Sequence, residues 1–216
     1  MFLFMEKVKR IALGVLLGLM IVGGVTLICV EASADDLELR VLANVQHQHA
    51  DNGVIVLGQE HRLQLEDVQL NKTLTNLGAH YRLTNWLSAG TVYNVVVALD
   101  GNDWTLEHRP HVDAVVSTSL LSLDLSLRPR VEYRVEGGDS SFRIRQELRV
   151  ELKECPLTPF LAEEVFVSAS GDIERNKISV GLSPLEGLST FYSLETDFNG
   201  VTEYRNIIGV DYRFNP

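Results

Sequence analysis

Cysteine is almost missing from this chain. Of two, Cys29 and Cys155, the first falls in a leader, so the remainder cannot close a disulfide of its own. A sustained helical period is missing beyond the leader, as are a linker, a low-complexity tract or a charge block that would divide the chain. Lysine is scarce too. Beyond residue 34 only Lys72, Lys153 and Lys177 occur, set against thirteen arginines. A solvent-washed surface is ordinarily mixed and lysine-rich, whereas arginine interleaved with Glu and Asp suits a confined interior, where the guanidinium fork makes paired contacts. Also lacking are a strained nucleophile turn, a Gly-rich oxyanion loop and any third ligand near a metal-type His pair.

What is present begins with an export signal. Lys7, Lys9 and Arg10 form a basic region, Ile11 to Val30 is an apolar run, and Ala32-Ser33-Ala34 supplies a signal-peptidase site. Ile28 before Cys29 does not fit a lipobox. Residues 1–34 are thus expected to be a cleaved signal peptide and residues 35–216 one barrel domain. Loss of Glu6, Lys7, Lys9, Arg10 and Glu31 leaves 16 basic and 27 acidic side chains, net −11, which argues against nucleic acid as a partner.

Alternation fills the rest. In FRIRQELRVELK, residues 142–153, Phe142, Ile144, Leu148, Val150 and Leu152 oppose Arg143, Arg145, Glu147, Arg149, Glu151 and Lys153, one apolar and one ionic face of a strand. About eleven such segments of roughly 8 to 15 residues are separated by short turns, as in an all-β barrel. The connections near residues 84, 119, 157 and 185 read as tight, and those near 101, 138, 171 and 199 as richer in Gly, Asp and Asn. The expected fold is an antiparallel up-and-down transmembrane β-barrel of about 10–12 strands. Because bacterial single-chain barrels have even strand numbers, either the segment from Leu37 is supplementary to ten strands or residues 65–75 hold a twelfth. Pro110 and Pro129 lack the ladder N–H and are expected to mark bulges.

The alternation fits a soluble lipocalin-like periplasmic barrel or, turned inside out, a membrane barrel. Export, a closing strand carrying Tyr212 and Phe214, and aromatics near strand ends (Tyr81, Trp86, Trp104, Phe142) favour the membrane. Parity then sends Glu107, Arg109, Arg128, Arg130, Glu132 and Arg134 into an interior polar network. Arg143, Arg145, Glu147, Arg149, Glu151, Glu164, Arg175, Arg205 and Arg213 join them. Every base of the exported chain but Lys72 is expected on that face, and Glu163 beside Glu164 blurs the parity of its strand.

The motifs Glu107-His108-Arg109-Pro110, RPRVEYR (128–134) and FRIRQELRVEL (142–152) carry a family resemblance. So do Ala162-Glu163-Glu164-Val165-Phe166, Arg175-Asn176-Lys177 and RNIIGVDYRF (205–214). Together they resemble a bacterial outer-membrane β-barrel family known as domain of unknown function 2490. The resemblance implies a fold and a place in the outer membrane of a Gram-negative cell, with outer-membrane lipid and the barrel-assembly machinery as partners. It implies no activity.

His108 and His111 near Ser117 and Ser119 lack the geometry of a hydrolase triad, and His47-x-His49 offers two metal ligands at most. No catalytic, cofactor or metal residue is assigned. The expected role is structural and non-enzymatic in the envelope, set against a narrow passive pore or a lipid-modifying enzyme. Paired long side chains are expected to bridge the lumen and block it to metabolites.

Overall fold

Successive side chains of opposite polarity demand a surface with two sides, and a sheet closed on itself supplies both without leaving an edge. The structure, a computed structural model, describes residues 37–214 apart from residues 50, 67, 102, 154, 199 and 201. The leader with its cleavage site after Ala34, and the terminal residues 215–216, lie outside the described residues. The strands are β1 (Leu37–His49), β2 (Gly53–Gln64), β3 (Gln69–Arg82), β4 (Leu87–Asp100), β5 (Asp103–Leu120) and β6 (Leu123–Glu136). They continue as β7 (Asp139–Leu152), β8 (Pro159–Ser168), β9 (Ile173–Leu185), β10 (Leu188–Asp197) and β11 (Glu203–Phe214). Each pairs with its sequence neighbour in antiparallel fashion, and β1 closes the barrel on β11.

Eleven strands stand, and neither route to an even number is taken. In an up-and-down barrel an odd count forces the first and last strands to run the same way. Accordingly β1 and β11 pair in parallel, from Leu37 opposite Asn206 to Val45 opposite Phe214. The Leu37 segment is therefore the closing strand, and residues 69–75 lengthen β3 instead of forming a strand of their own.

The connections at residues 65–68, 101–102, 137–138, 169–172 and 198–202 gather at the end where β1 starts, here the Leu37 end. Those at 50–52, 83–86, 121–122, 153–158 and 186–187 gather where β11 stops, the Phe214 end. The Gly-, Asp- and Asn-rich connections thus share one end, although both ends are short-looped. Gly101 and Gly138 take φ of 61° and 98° there, backbone that glycine adopts without a Cβ penalty.

Neither Pro110 nor Pro129 makes a bulge. Between β5 and β6 the pairs flanking each proline keep one register, His108 opposite Val135 and His111 opposite Glu132, then Asp113 opposite Arg130 and Val116 opposite Leu127. Each ring removes a donor from the ladder without adding a residue. The register shifts instead beside Arg62, Phe166 and Leu188. The first of these corrects the placement of Lys72. Arg62 opposes Lys72 while Leu63 opposes Leu70, so Asn71 is the extra residue, and both Asn71 and Lys72 reach inward. The adjacent acids of β8 also separate cleanly, with Glu164 buried and Glu163 exposed on the outside, where it accepts from Asn176 at 3.2 Å.

Burial is inverted relative to a water-soluble core. Among the described residues the buried apolar set is short, with Val96 and Ile207 the most enclosed, while Glu132 and Ser193 are wholly shielded and Glu195 nearly so. Every strand except β10 exposes large apolar side chains, among them Val41, Leu57, Leu77, Val112, Leu148 and Ile178. Exposed aromatics ring both rims: Trp104, Phe142 and Tyr204 near the Leu37 end, Tyr81, Trp86, Tyr212 and Phe214 near the other.

Candidate functional site

The lumen has two halves. Toward the Leu37 end it is closed by ion pairs. Glu107 on β5 binds both Arg109 and Arg134. Glu132 on β6, with no exposed surface, accepts from Arg143 at 2.7 Å and Arg145 at 2.7 Å, with Arg130 at 3.4 Å. Glu195 and Asp197 on β10 share Arg175 and Arg205, the shortest contact being Arg175 to Asp197 at 2.8 Å. A buried carboxylate is stable only when such donors surround it, and alternation places them on the same face, two residues along its own strand or on the next.

Above this floor lies a cavity of about 1010 Å³ whose walls reach Asn85, Trp86, Asp124 and Lys153 at the Phe214 end. Glu38, Glu107, Glu132, Arg134, Asp197 and Arg205 are not among its walls. The cavity thus stops short of these six residues and reaches the Phe214 end, so the interior holds a well in addition to bridging side chains.

All fifteen residues of the expected polar network take part in ion pairs, but in separate groups. Beyond the floor, Glu164 joins Arg145 to Lys177, the latter at 2.7 Å. Nearer the open end Arg128 binds Glu147 at 2.8 Å, Arg149 binds Glu151 at 2.5 Å, and Arg213 reaches Asp211 at 3.4 Å.

Several interior residues lie outside that set of fifteen. On β1 and β2, Arg40 binds Glu60 at 2.7 Å, and Arg62 binds Glu60 at 2.7 Å and Glu38 at 3.6 Å. Asp113 lies 3.5 Å from His80 and 3.7 Å from Arg130. Three inward aromatics were also missed. Phe166 lies under the guanidinium of Arg145 at 4.5 Å, Phe160 under that of Arg149 at 3.7 Å, and Phe191 under that of Arg40 at 5.6 Å. Phe191 lies against Gly209, where a Cβ would fall 2.0 Å from its ring. The signal was available: Phe160 and Phe166 share parity with Glu164.

The charge on the walls is unbalanced. Thirteen Arg and Lys side chains line the well against eight carboxylates. Counting the acids and arginines of the floor brings the interior to fifteen cations and twelve anions. The four acids added there, Glu38, Glu107, Glu132 and Asp197, lie outside the walls of the well, so the excess of bases is greatest on the walls themselves.

The hydrolase candidates do not assemble. His111 is buried within the lumen, whereas His108 lies on the outer face bonded to the Tyr93 hydroxyl at 2.6 Å. At the rim Ser119 donates to Asp124 at 2.6 Å, and Lys153 bonds the same carboxylate at 2.6 Å. Lys153 also donates to the Ser119 hydroxyl at 3.3 Å, so Ser119, Asp124 and Lys153 form one rim cluster with no histidine in it. His47 and His49 are exposed on β1, and no group of three or more metal-type side chains occurs among the described residues.

A family model described as protein of unknown function (DUF2490) matches residues 37–184. That span runs from β1 into β9 and leaves the closing segment 205–214 outside the match. A search of curated proteins gives no match.

Proposed function

We propose, from the premise that the chain belongs to the DUF2490 family of proteins of unknown function, that it is a non-enzymatic outer-membrane barrel of a Gram-negative cell, closed at one end of its lumen. The observation that carries this reading is the inverted burial. Large apolar side chains face outward on ten of the eleven strands while carboxylates and guanidiniums fill the interior. In water, so much exposed apolar surface would favour aggregation; against acyl chains it is the favourable face. The strands, of 10 to 18 residues, are long enough to span a bilayer when tilted, and the two aromatic rims are placed as interfacial girdles. Outer-membrane lipid and, during biogenesis, the barrel-assembly machinery are the partners this reading requires. The same inversion disfavours the lipocalin-like alternative, and the closed floor disfavours a through-pore.

Fractionation tests the location. The exported chain should pellet with outer membranes and migrate differently on a gel before and after boiling. Recovery in the periplasmic fraction, with one mobility under both conditions, would refute the membrane reading.

A further inference from the structure

One row of the lumen carries three bases on adjacent strands. Arg40 on β1 opposes Arg62 on β2, and Arg62 opposes Lys72 on β3. Like charges directly across a ladder repel, and the ion pairs relieve only two of the three. Arg40 and Arg62 share Glu60, and Arg62 also reaches Glu38. Among the described residues Lys72 has no carboxylate within 4.0 Å, and the charges that act on it are Arg62, Arg109 and Arg175 with Glu60 the one acid. All three bases line the cavity. Burying an amino group without a carboxylate partner beside two guanidiniums costs stability, and the bulge at Asn71 is what allows Lys72 to join the row.

We propose that the Arg40–Arg62–Lys72 row is the head-group site for a small phosphate-bearing ligand that enters the well from the Phe214 end. A dianionic phosphate matches the Lys72 amino group and two guanidinium forks better than a single carboxylate does, because it offers several acceptor oxygens to donors on separate strands and brings the negative charge the row lacks. The volume above the row leaves room for an organic portion. Leu42, Leu74 and Phe191 on the neighbouring walls give that portion an apolar surface. The site is a property of the lumen and does not depend on which membrane surrounds the barrel.

The test is calorimetric titration of the folded exported chain with inorganic phosphate, glycerol 3-phosphate and lysophosphatidic acid, with acetate as the monoanionic control. Saturable one-site binding of the phosphate probes is expected, weakened about tenfold or more by Lys72→Met and retained by Lys72→Arg. Lys72→Met should at the same time raise the unfolding midpoint, which loss of a merely structural contact would not do. Tighter binding of lysophosphatidic acid assigns the site to a lipid head group, and tighter binding of glycerol 3-phosphate to a soluble ester. Absence of saturation with every phosphate probe overturns the proposal, as does equal binding by Lys72→Met or equal competition by acetate. A second measurement needs no variant. Phosphate should slow acylation of Lys72 by acetic anhydride and leave Lys153 unaffected, and unchanged labelling of Lys72 would also overturn the site.

Discussion

The two halves of the lumen use the same side chains to opposite ends. At the floor each guanidinium meets a carboxylate, on its own strand for Arg109 and Arg130 and on a neighbouring one for Arg134, Arg143 and Arg145, so the arginines bridge the barrel. On β1–β3 the bases Arg40, Arg62 and Lys72 outnumber the acids Glu38 and Glu60, and all three bases line open space. The difference lies in where the carboxylates fall. Arg130 opposes Arg145 across β6 and β7, but Glu132, opposite Arg143, serves all three arginines, whereas Lys72, opposite Arg62, has no such carboxylate. Whether an arginine-rich barrel is a plug or a vessel is therefore decided row by row, and not by its composition.

The sharpest way to break this contrast is to remove one floor group as a unit. Replacing Glu107, Arg109 and Arg134 together by Ser leaves no orphaned partner, because these three bind one another. The parent barrel should pass no steady current in planar bilayers, and the triple variant should show measurable conductance. Stable large currents from the parent would mean that the floor is not closed.

Glu132→Leu should cost about 3–5 kcal/mol, since Arg143 and Arg145 would lose their shared acceptor inside the barrel. Denaturant unfolding in lipid vesicles checks this. A cost under about 1 kcal/mol, the range of an exposed pair, would show that the lattice is hydrated and weak.

On the outer face, Leu148→Arg should destabilise by about 2–4 kcal/mol if the residue faces lipid near mid-depth. Its neighbour offers an internal control. Arg149→Leu disturbs an interior pair with Glu151 and should leave insertion intact. A harmless Leu148→Arg in vesicles would reverse the assignment of the two faces.

The smallest effect belongs to the rim. Lys153→Met removes a pair with Asp124 in which the lysine is 54% exposed, and its cost should stay below about 1 kcal/mol and fall further with added salt. A larger, salt-independent change would move the buried region up to the rim.

The strands were legible because one face of each is apolar and the other ionic, and parity alone puts Arg145 and Glu132 on the same side. Lys72 was not legible. The stretch Asn71-Lys72-Thr73 does not alternate, and the bulge that turns Lys72 inward is created by pairing with β2. Glu163 and Glu164 posed a similar ambiguity that only the flanking strands resolve. Closure was hidden for another reason: the β1–β11 seam joins residues about as far apart as the chain permits, and no local pattern encodes it. The well itself depends on the height of each row, which follows from the stagger of the strands, a quantity that side-chain parity does not contain.

The parallel seam also has a consequence for sidedness. Eleven passes deliver Leu37 and Phe214 to opposite rims, whereas an even-stranded barrel returns both to one. With a bilayer around the barrel, whatever precedes Leu37 emerges in one compartment and whatever follows Phe214 in the other. The well opens on the Phe214 side. A ligand would thus be taken from, and returned to, the compartment that holds the carboxyl terminus, and a reporter fused there would sit beside the entrance.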